Sequence, residues 1–405
     1  MKTDLAELAI CGGPPAFSEI RHVGRPNIGD PDRFLGLARQ VLDRRWLSNS
    51  GPCVENLEWR LREFFGAEHC ECVSNATDGL IVAIRALGLA GEVIVPSFTF
   101  IATAHVVQWL GLTPVFCDID PRTHCIDPAK AEMLITPRTS AIIAVHLWGR
   151  PCAVAALEEL ARRHGLKLIF DSAHAFGCSH ENRMLGNFGD AEVFSFHATK
   201  VFNTGEGGAV VTNDHELAKR VRSMRNFGFS GMDTTEGPGI NAKMPELSAA
   251  MGLNNLESFP EFVRTNHSNY ACYDEGLSGV PGVKLLEYNH FERNNYHYIV
   301  LSIDETLSVL SRDYLQQILW AENILARRYF YPGCHRMAPY FKAGISGSSR
   351  LPVTEALSER VLALPNGTAV SPSDVREICA VVRLSIAHGD ELAHRLQGRI
   401  SAAHA

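Results

Sequence analysis

Leu166-Lys167-Leu168-Ile169-Phe170-Asp171 is followed, one connection later, by Val193-Phe194-Ser195-Phe196-His197-Ala198-Thr199-Lys200. Each is a short apolar run with a charged group at or just past its end, the pattern of a buried strand delivering a side chain at its tip. Just before the first run, Val154–His164 carries Leu157, Leu160 and Ala161 at helical spacing. Glu158 and Glu159 stand four residues ahead of Arg162 and Arg163, and Gly165 is placed to close the helix. Further strand candidates are Val93–Val95, Pro114–Phe116, Ala141–Leu147 and Ala209–Val211. Their alternation with helices from about residue 70 to 215 predicts an α/β fold. Its mostly parallel sheet is covered on both faces, with ligands bound at the C-terminal strand edge.

The pattern changes near Pro260. Leu285–Tyr288, Tyr296–Leu301 and a helix over Arg312–Ala321 read as a smaller α+β unit, with turns at Ser278–Gly282 and Gly344–Ser349. The expected organisation is an N-terminal segment over 1–30, a large α/β domain over 31–260 and a small C-terminal α+β domain over 261–405.

The 405 residues are ample for a buried core without metal or disulfide staples. Net charge is −7, which argues against a broad nucleic-acid-binding surface. The 11 cysteines are scattered, without zinc-ligand spacing, and fit a reducing compartment; no metal site is expected. The first residues, Met1–Leu5, lack the basic and apolar regions of a secretory signal, so a cytoplasmic location is expected. Val93 to Phe116 contains no charged residue, but Pro96, Thr103, His105 and Pro114 mark it as strand–helix–strand rather than a membrane span. Gly205-Glu206-Gly207-Gly208 precedes a strand instead of following one, so it is not a dinucleotide fingerprint.

Four features gather at the predicted strand ends and helix starts. Ser74-Asn75-Ala76-Thr77-Asp78-Gly79 opens a helix and offers free backbone N–H groups to an anion. Asp171 ends a buried strand, where a carboxylate needs a cation or donors. Lys200 follows another, where desolvation lowers an amine's pKa and readies it for a Schiff base. Phe100 follows the strand ending at Pro96 and can stack on a flat ring. Singly these read as a helix cap, a second cap, a surface lysine and a core aromatic. Together they meet the needs of pyridoxal 5′-phosphate (PLP): an anion cradle, an acid for the pyridine nitrogen, an amine and a stacking face.

At this point the sequence resembles the DegT/StrS family of PLP-dependent sugar aminotransferases over about residues 20 to 390. The matching segments are Ser74–Leu80, Val93–Phe100, Ile135–Thr139, Asp171–His174, Phe194–Lys200 and Gly207–Thr212. The resemblance implies the aspartate-aminotransferase-like fold (fold type I). It also implies roles by position: Lys200 as Schiff-base lysine and proton carrier, Asp171 on the pyridine nitrogen, Phe100 stacked on the ring. His174 stands beside the ring oxygen, and Ala76, Thr77 and Ser195 are on the phosphate. Asn241 matches the residue that reaches the phosphate of the partner subunit, implying a homodimer with shared active sites.

His22–Asp30, His197–Lys200, Glu206–Gly208 and Asn241–Met244 resemble, within the family, the viosamine- and desosamine-pathway 4-aminotransferases. The implied substrates are the nucleotide sugar dTDP-4-keto-6-deoxy-D-glucose and L-glutamate, with pyridoxamine 5′-phosphate as the intermediate cofactor form. Ala76 and Lys243 depart from the common Gly and Arg of the family. Lys200 speaks against the related 3-dehydratase, which has His there. The competing expectations are a 3-keto-sugar aminotransferase, a cyclitol aminotransferase and a non-catalytic protein of the same fold. For the nucleotide diphosphate, Arg25, Lys243 and Arg328 are the expected cations.

Overall fold

Seven strands form the central sheet: β1 His69–Val73, β2 Glu92–Pro96, β3 Thr113–Cys117, β4 Thr139–Val145, β5 Lys167–Asp171, β6 Ala191–Ser195 and β7 Gly208–Thr212. Their order is β1-β7-β6-β5-β4-β2-β3. Only the pairs made by β7 are antiparallel; all others are parallel. The computed structural model describes residues 1–344 and 350–403, so most of the turn expected at Gly344–Ser349 lies outside the described residues.

Both faces of the sheet are covered. Ile94, Ile142, Phe170 and Phe194 face α1 (Pro52–Phe65), α4 (Val154–His164) and α6 (Glu246–Leu277) in one core. Val93, Ile143, Ile169 and Val193 face α2 (Ala76–Ala86), α3 (Ala102–Trp109) and α5 (His215–Met224) in another. Adjacent residues of one strand thus serve opposite cores, which is why these strands are unbroken apolar runs. Helix α4 has the expected bounds and ends on Gly165 in the left-handed region (φ 63°).

The parallel strands leave Pro96, Val145, Asp171 and Ser195 at one edge, and antiparallel β7 begins there at Gly208, opposite Ser195. The expected strand Ala141–Leu147 is shorter at this edge, because Leu147–Gly149 turns away with Trp148 at φ 62°. β1 was not among the expected strands. Glu71 interrupts its apolar pattern and is buried by pairing with Arg222 and Arg225.

The second sheet is antiparallel, β8 (Val283–Leu285), β9 (Ile299–Ile303) and β10 (Val361–Leu364) in that order. It packs with α7 (Arg312–Ala321) and α8 (Pro372–Ala387). The boundary expected at 260/261 falls inside α6, a continuous helix of 32 residues with Pro260 in its interior. Its Phe259 and Phe262 belong to a core of the large sheet, while Tyr270, Tyr273 and Leu277 belong to the core of the small one. The change of pattern near Pro260 is therefore a change of core along one helix. The N-terminal segment packs on the small unit: Leu8 and Phe17 share its core, and Arg21–His22 pair with Ile324–Leu325.

Gly208 lets β7 approach the start of α2. A Cβ added there would lie 2.7 Å from the Phe194 carbonyl oxygen and 2.8 Å from the Ala76 nitrogen. Gly208→Ala should therefore displace the helix start and cost about 1–3 kcal/mol, read as a lower urea midpoint at unchanged slope.

Candidate active site

Asp171 ends β5 with its carboxylate buried. Thr103, in the first turn of α3, donates its hydroxyl to Oδ2 at 2.8 Å, and the Ala173 N–H donates to Oδ1 at 3.2 Å. Burial pushes the carboxyl above its ordinary range, while Thr103, Ala173 and the Lys200 charge act against that. Lys200, in the turn after β6, supplies the opposite charge. Burial pushes its amine down to about 8, with Asp171 the opposing influence. A lysine in that state has about a tenth of its amine free at pH 7, a few hundred times more than an ordinary lysine.

The Lys200 Nζ donates to the Tyr298 hydroxyl at 3.3 Å. Tyr298 comes from the small unit, just ahead of β9. The strand expected from Tyr296 begins only at Ile299, since Tyr296 is left-handed (φ 50°) and His297 is held by side-chain bonds. The His297 ring bonds the Thr199 carbonyl at 2.8 Å, and Asn295 donates to the His174 and Phe176 carbonyls at 2.9 and 3.1 Å. These bonds fasten the small unit to the turn that carries Lys200 and to the segment after β5.

His174 lies 4.3 Å, centroid to centroid, from the Tyr298 ring. Its Nδ1 accepts the Trp148 backbone N–H at 3.3 Å, and burial holds it neutral, so the proton sits on Nε2 as a donor. Nearby, Asn75 caps α2 by accepting the Asp78 N–H, and the N–H groups of Ala76 and Thr77 fall in the unsatisfied first turn.

One cleft of about 710 Å³ brings together Ala76, Thr77, Phe100, Asp171, His174, Ser195 and Lys200. The Phe100 ring is 58% exposed, a flat face free to stack. Asn241 stands apart on the exposed surface, where its Oδ1 accepts the Lys243 amine at 2.7 Å. The expected nucleotide cations do not line the cleft of the single chain: Arg25 is exposed elsewhere, Lys243 lies over Phe227, and Arg328 pairs with Asp313. Besides Lys200, Arg327, next to Arg328, lines it. Sequence reasoning also passed over Thr103, Tyr298, Tyr329 and Phe330. Thr103 carried one signal, its spacing of four from Thr99, whose hydroxyl it meets at 3.3 Å. Tyr298 carried none, being far away in sequence.

A desolvated amine, a facing carboxylate, a neutral ring donor and an N–H cradle beside an open aromatic face fit PLP group by group. The fold and site define the class of PLP-dependent aminotransferases with a mostly parallel central sheet. Within it the chain belongs to the DegT/DnrJ/EryC1/StrS aminotransferase family, whose pattern matches residues 30–383. It is 37% identical over 363 residues to the dTDP-4-amino-4,6-dideoxy-D-glucose transaminase of Shigella dysenteriae, covering 89% of this chain and 98% of that one. Its structure is similar to that of DesI crystallised in the presence of its TDP-sugar product, with 47% identity and a TM-score of 0.93 over 97% of this chain and 100% of the other. It is also similar to S. venezuelae DesV in complex with a ketimine intermediate, with 31% identity and a TM-score of 0.82 over 88% and 94%.

In cofactor-free protein, labelling of Lys200 by an amine-directed reagent should rise with a midpoint near pH 8, instead of the ordinary lysine value of about 10.4. Asp171→Asn should move that midpoint lower, because the carboxylate favours the ammonium form. Peptide mass spectrometry across a pH series reads both.

Proposed function

We propose that the protein transfers the amino group of L-glutamate to C4 of dTDP-4-keto-6-deoxy-D-glucose, giving dTDP-4-amino-4,6-dideoxy-D-glucose. The observation that carries the reading is the half-buried Lys200, its amine pushed down to about 8, sharing the 710 Å³ cleft with the Asp171 carboxylate. The choice of sugar rests on the likeness to the Shigella dysenteriae transaminase and to DesI.

When bound, PLP supplies the electron sink that makes the donor's Cα–H acidic. Asp171, ionised against a protonated ring nitrogen, keeps that sink effective. The first-turn N–H groups of Ala76 and Thr77, with the Ser195 hydroxyl, hold the phosphate. His174 Nε2–H donates to the ring oxygen, and Phe100 covers the ring face. As a free amine, Lys200 takes the proton from the Cα of glutamate and later delivers one to C4 of the sugar. The Tyr298 hydroxyl steadies Lys200 Nζ between these transfers. Burial keeps that phenol protonated, so it serves as a neutral partner. Arg327 is the cleft's cation for the anionic groups of the substrates. Asn241, exposed on the single chain, reaches the phosphate of a second copy in a homodimer that shares its active sites.

Lys200→Ala should retain PLP but lose turnover by about 10⁴-fold; near-normal activity would overturn the assignment. Arg327→Ala should raise KM for the anionic substrates about tenfold or more with a smaller effect on kcat. The decisive assay is incubation with glutamate and a panel of keto-sugar nucleotides and cyclitol ketones, then NMR of the product. An amine at C4 of the dTDP sugar is expected. An amine at C3, or amination of the cyclitol alone, would replace this reading with another aminotransferase. A purified protein without bound PLP would favour a non-catalytic role.

A further inference from the structure

A second cleft, of about 670 Å³, lies between the large and small units, away from Lys200. Its lining includes Leu286, Val300 and Val353 as apolar surface. Around them stand Arg122, Arg150, Lys284 and Arg360, with Glu287 the carboxylate of the lining. Arg122 is paired with Asp120, and Lys284 lies 3.8 Å from Glu287. Neither Arg150 nor Arg360 is ion-paired among the described residues; Arg150 donates to the Arg122 carbonyl at 3.2 Å, and Arg360 acts on Asp304 only through its field. Two guanidinium groups without an ion-pair partner among the described residues, one from each unit, thus line a single groove in a chain of net charge −7.

His124 gives this groove a built polar wall. It is only 7% exposed, yet it lines the cleft. Its Nδ1 accepts the Trp148 indole N–H at 3.2 Å. Burial, reinforced by Arg150, holds the ring neutral, so Nε2 carries the proton. The ring lines the groove, so that N–H is a donor open to a ligand there. His124 and Trp148 are both left-handed, at φ 63° and 62°, a conformation bulky residues adopt under constraint. Trp148 also donates its backbone N–H to His174, so this buried residue bonds one lining residue of each cleft.

We propose that this groove binds a phosphorylated organic anion. Arg150 and Arg360 take the phosphate from two sides, His124 Nε2–H donates to it, and the apolar surface carries the rest of the ligand. The site is independent of which keto-sugar the catalytic cleft accepts.

Calorimetric titration of the PLP-loaded enzyme with AMP and with inorganic pyrophosphate tests this. The wild type and Arg327→Ala should bind AMP alike, with affinity that falls as salt rises. Arg150→Ala combined with Arg360→Ala should weaken AMP binding about tenfold or more, while retaining bound PLP and transaminase turnover. Arg150→Lys with Arg360→Lys, which keeps charge but not the planar fork, should fall between the two and serves if the alanine pair fails to fold. No AMP binding to the wild type, or AMP binding untouched by either arginine pair, would overturn the site. Loss of AMP binding in Arg327→Ala would assign it to the catalytic cleft instead. Binding of pyrophosphate without AMP would overturn the organic ligand.

Discussion

A buried carboxylate and a half-buried amine sharing one cleft at the edge of the sheet are the constraint around which the structure is arranged. The Asp171 carboxylate alone at that depth would be strongly destabilising. Asp171 stays there because Thr103 and the Ala173 N–H bond its oxygens and Lys200 supplies opposite charge. Lys200 has no matching surplus of acceptors: Tyr298 is neutral, and the nearby His174 and His297 gain nothing from a positive neighbour. The balance leaves the amine easily deprotonated, which is the state a transaminase lysine must reach.

That balance depends on parts built elsewhere. The parallel register of β4, β5 and β6 sets Val145, Asp171 and Val193 abreast, so the lysine turn follows directly beside the acid. Antiparallel β7 starts at a glycine because the first turn of α2 leaves no room for a side chain. The small unit closes the site through Asn295, His297 and Tyr298, stitched to the turns after β5 and β6. Helix α6 carries both cores and makes the two units one frame.

Much of this was legible in the residues. The apolar runs of β2 to β7 and the helix Val154–His164 stood out because strands buried on both faces and an amphipathic helix leave local signatures. β1 did not, since Glu71 breaks the run and only Arg222 and Arg225, distant in sequence, make its burial tolerable. The 260/261 boundary falls inside one helix, because the change of pattern near Pro260 marks a change of core along that helix and not the end of an element.

The sequence by itself determined the strand-tip carboxylate, the lysine, the capped helix start and the order of motifs that marks the family. Apart from the order of the motifs, which only the whole chain shows, these are local features, each written in fewer than about ten neighbouring residues, within the reach of strand and helix periodicity. Only the tertiary structure decided that Thr103 and Tyr298 serve Asp171 and Lys200, that Arg327 rather than Arg328 lines the catalytic cleft, and that His124 faces a second groove. Those assignments depend on which way a side chain points after long-range packing, and a shift of one residue along an extended segment reverses that direction.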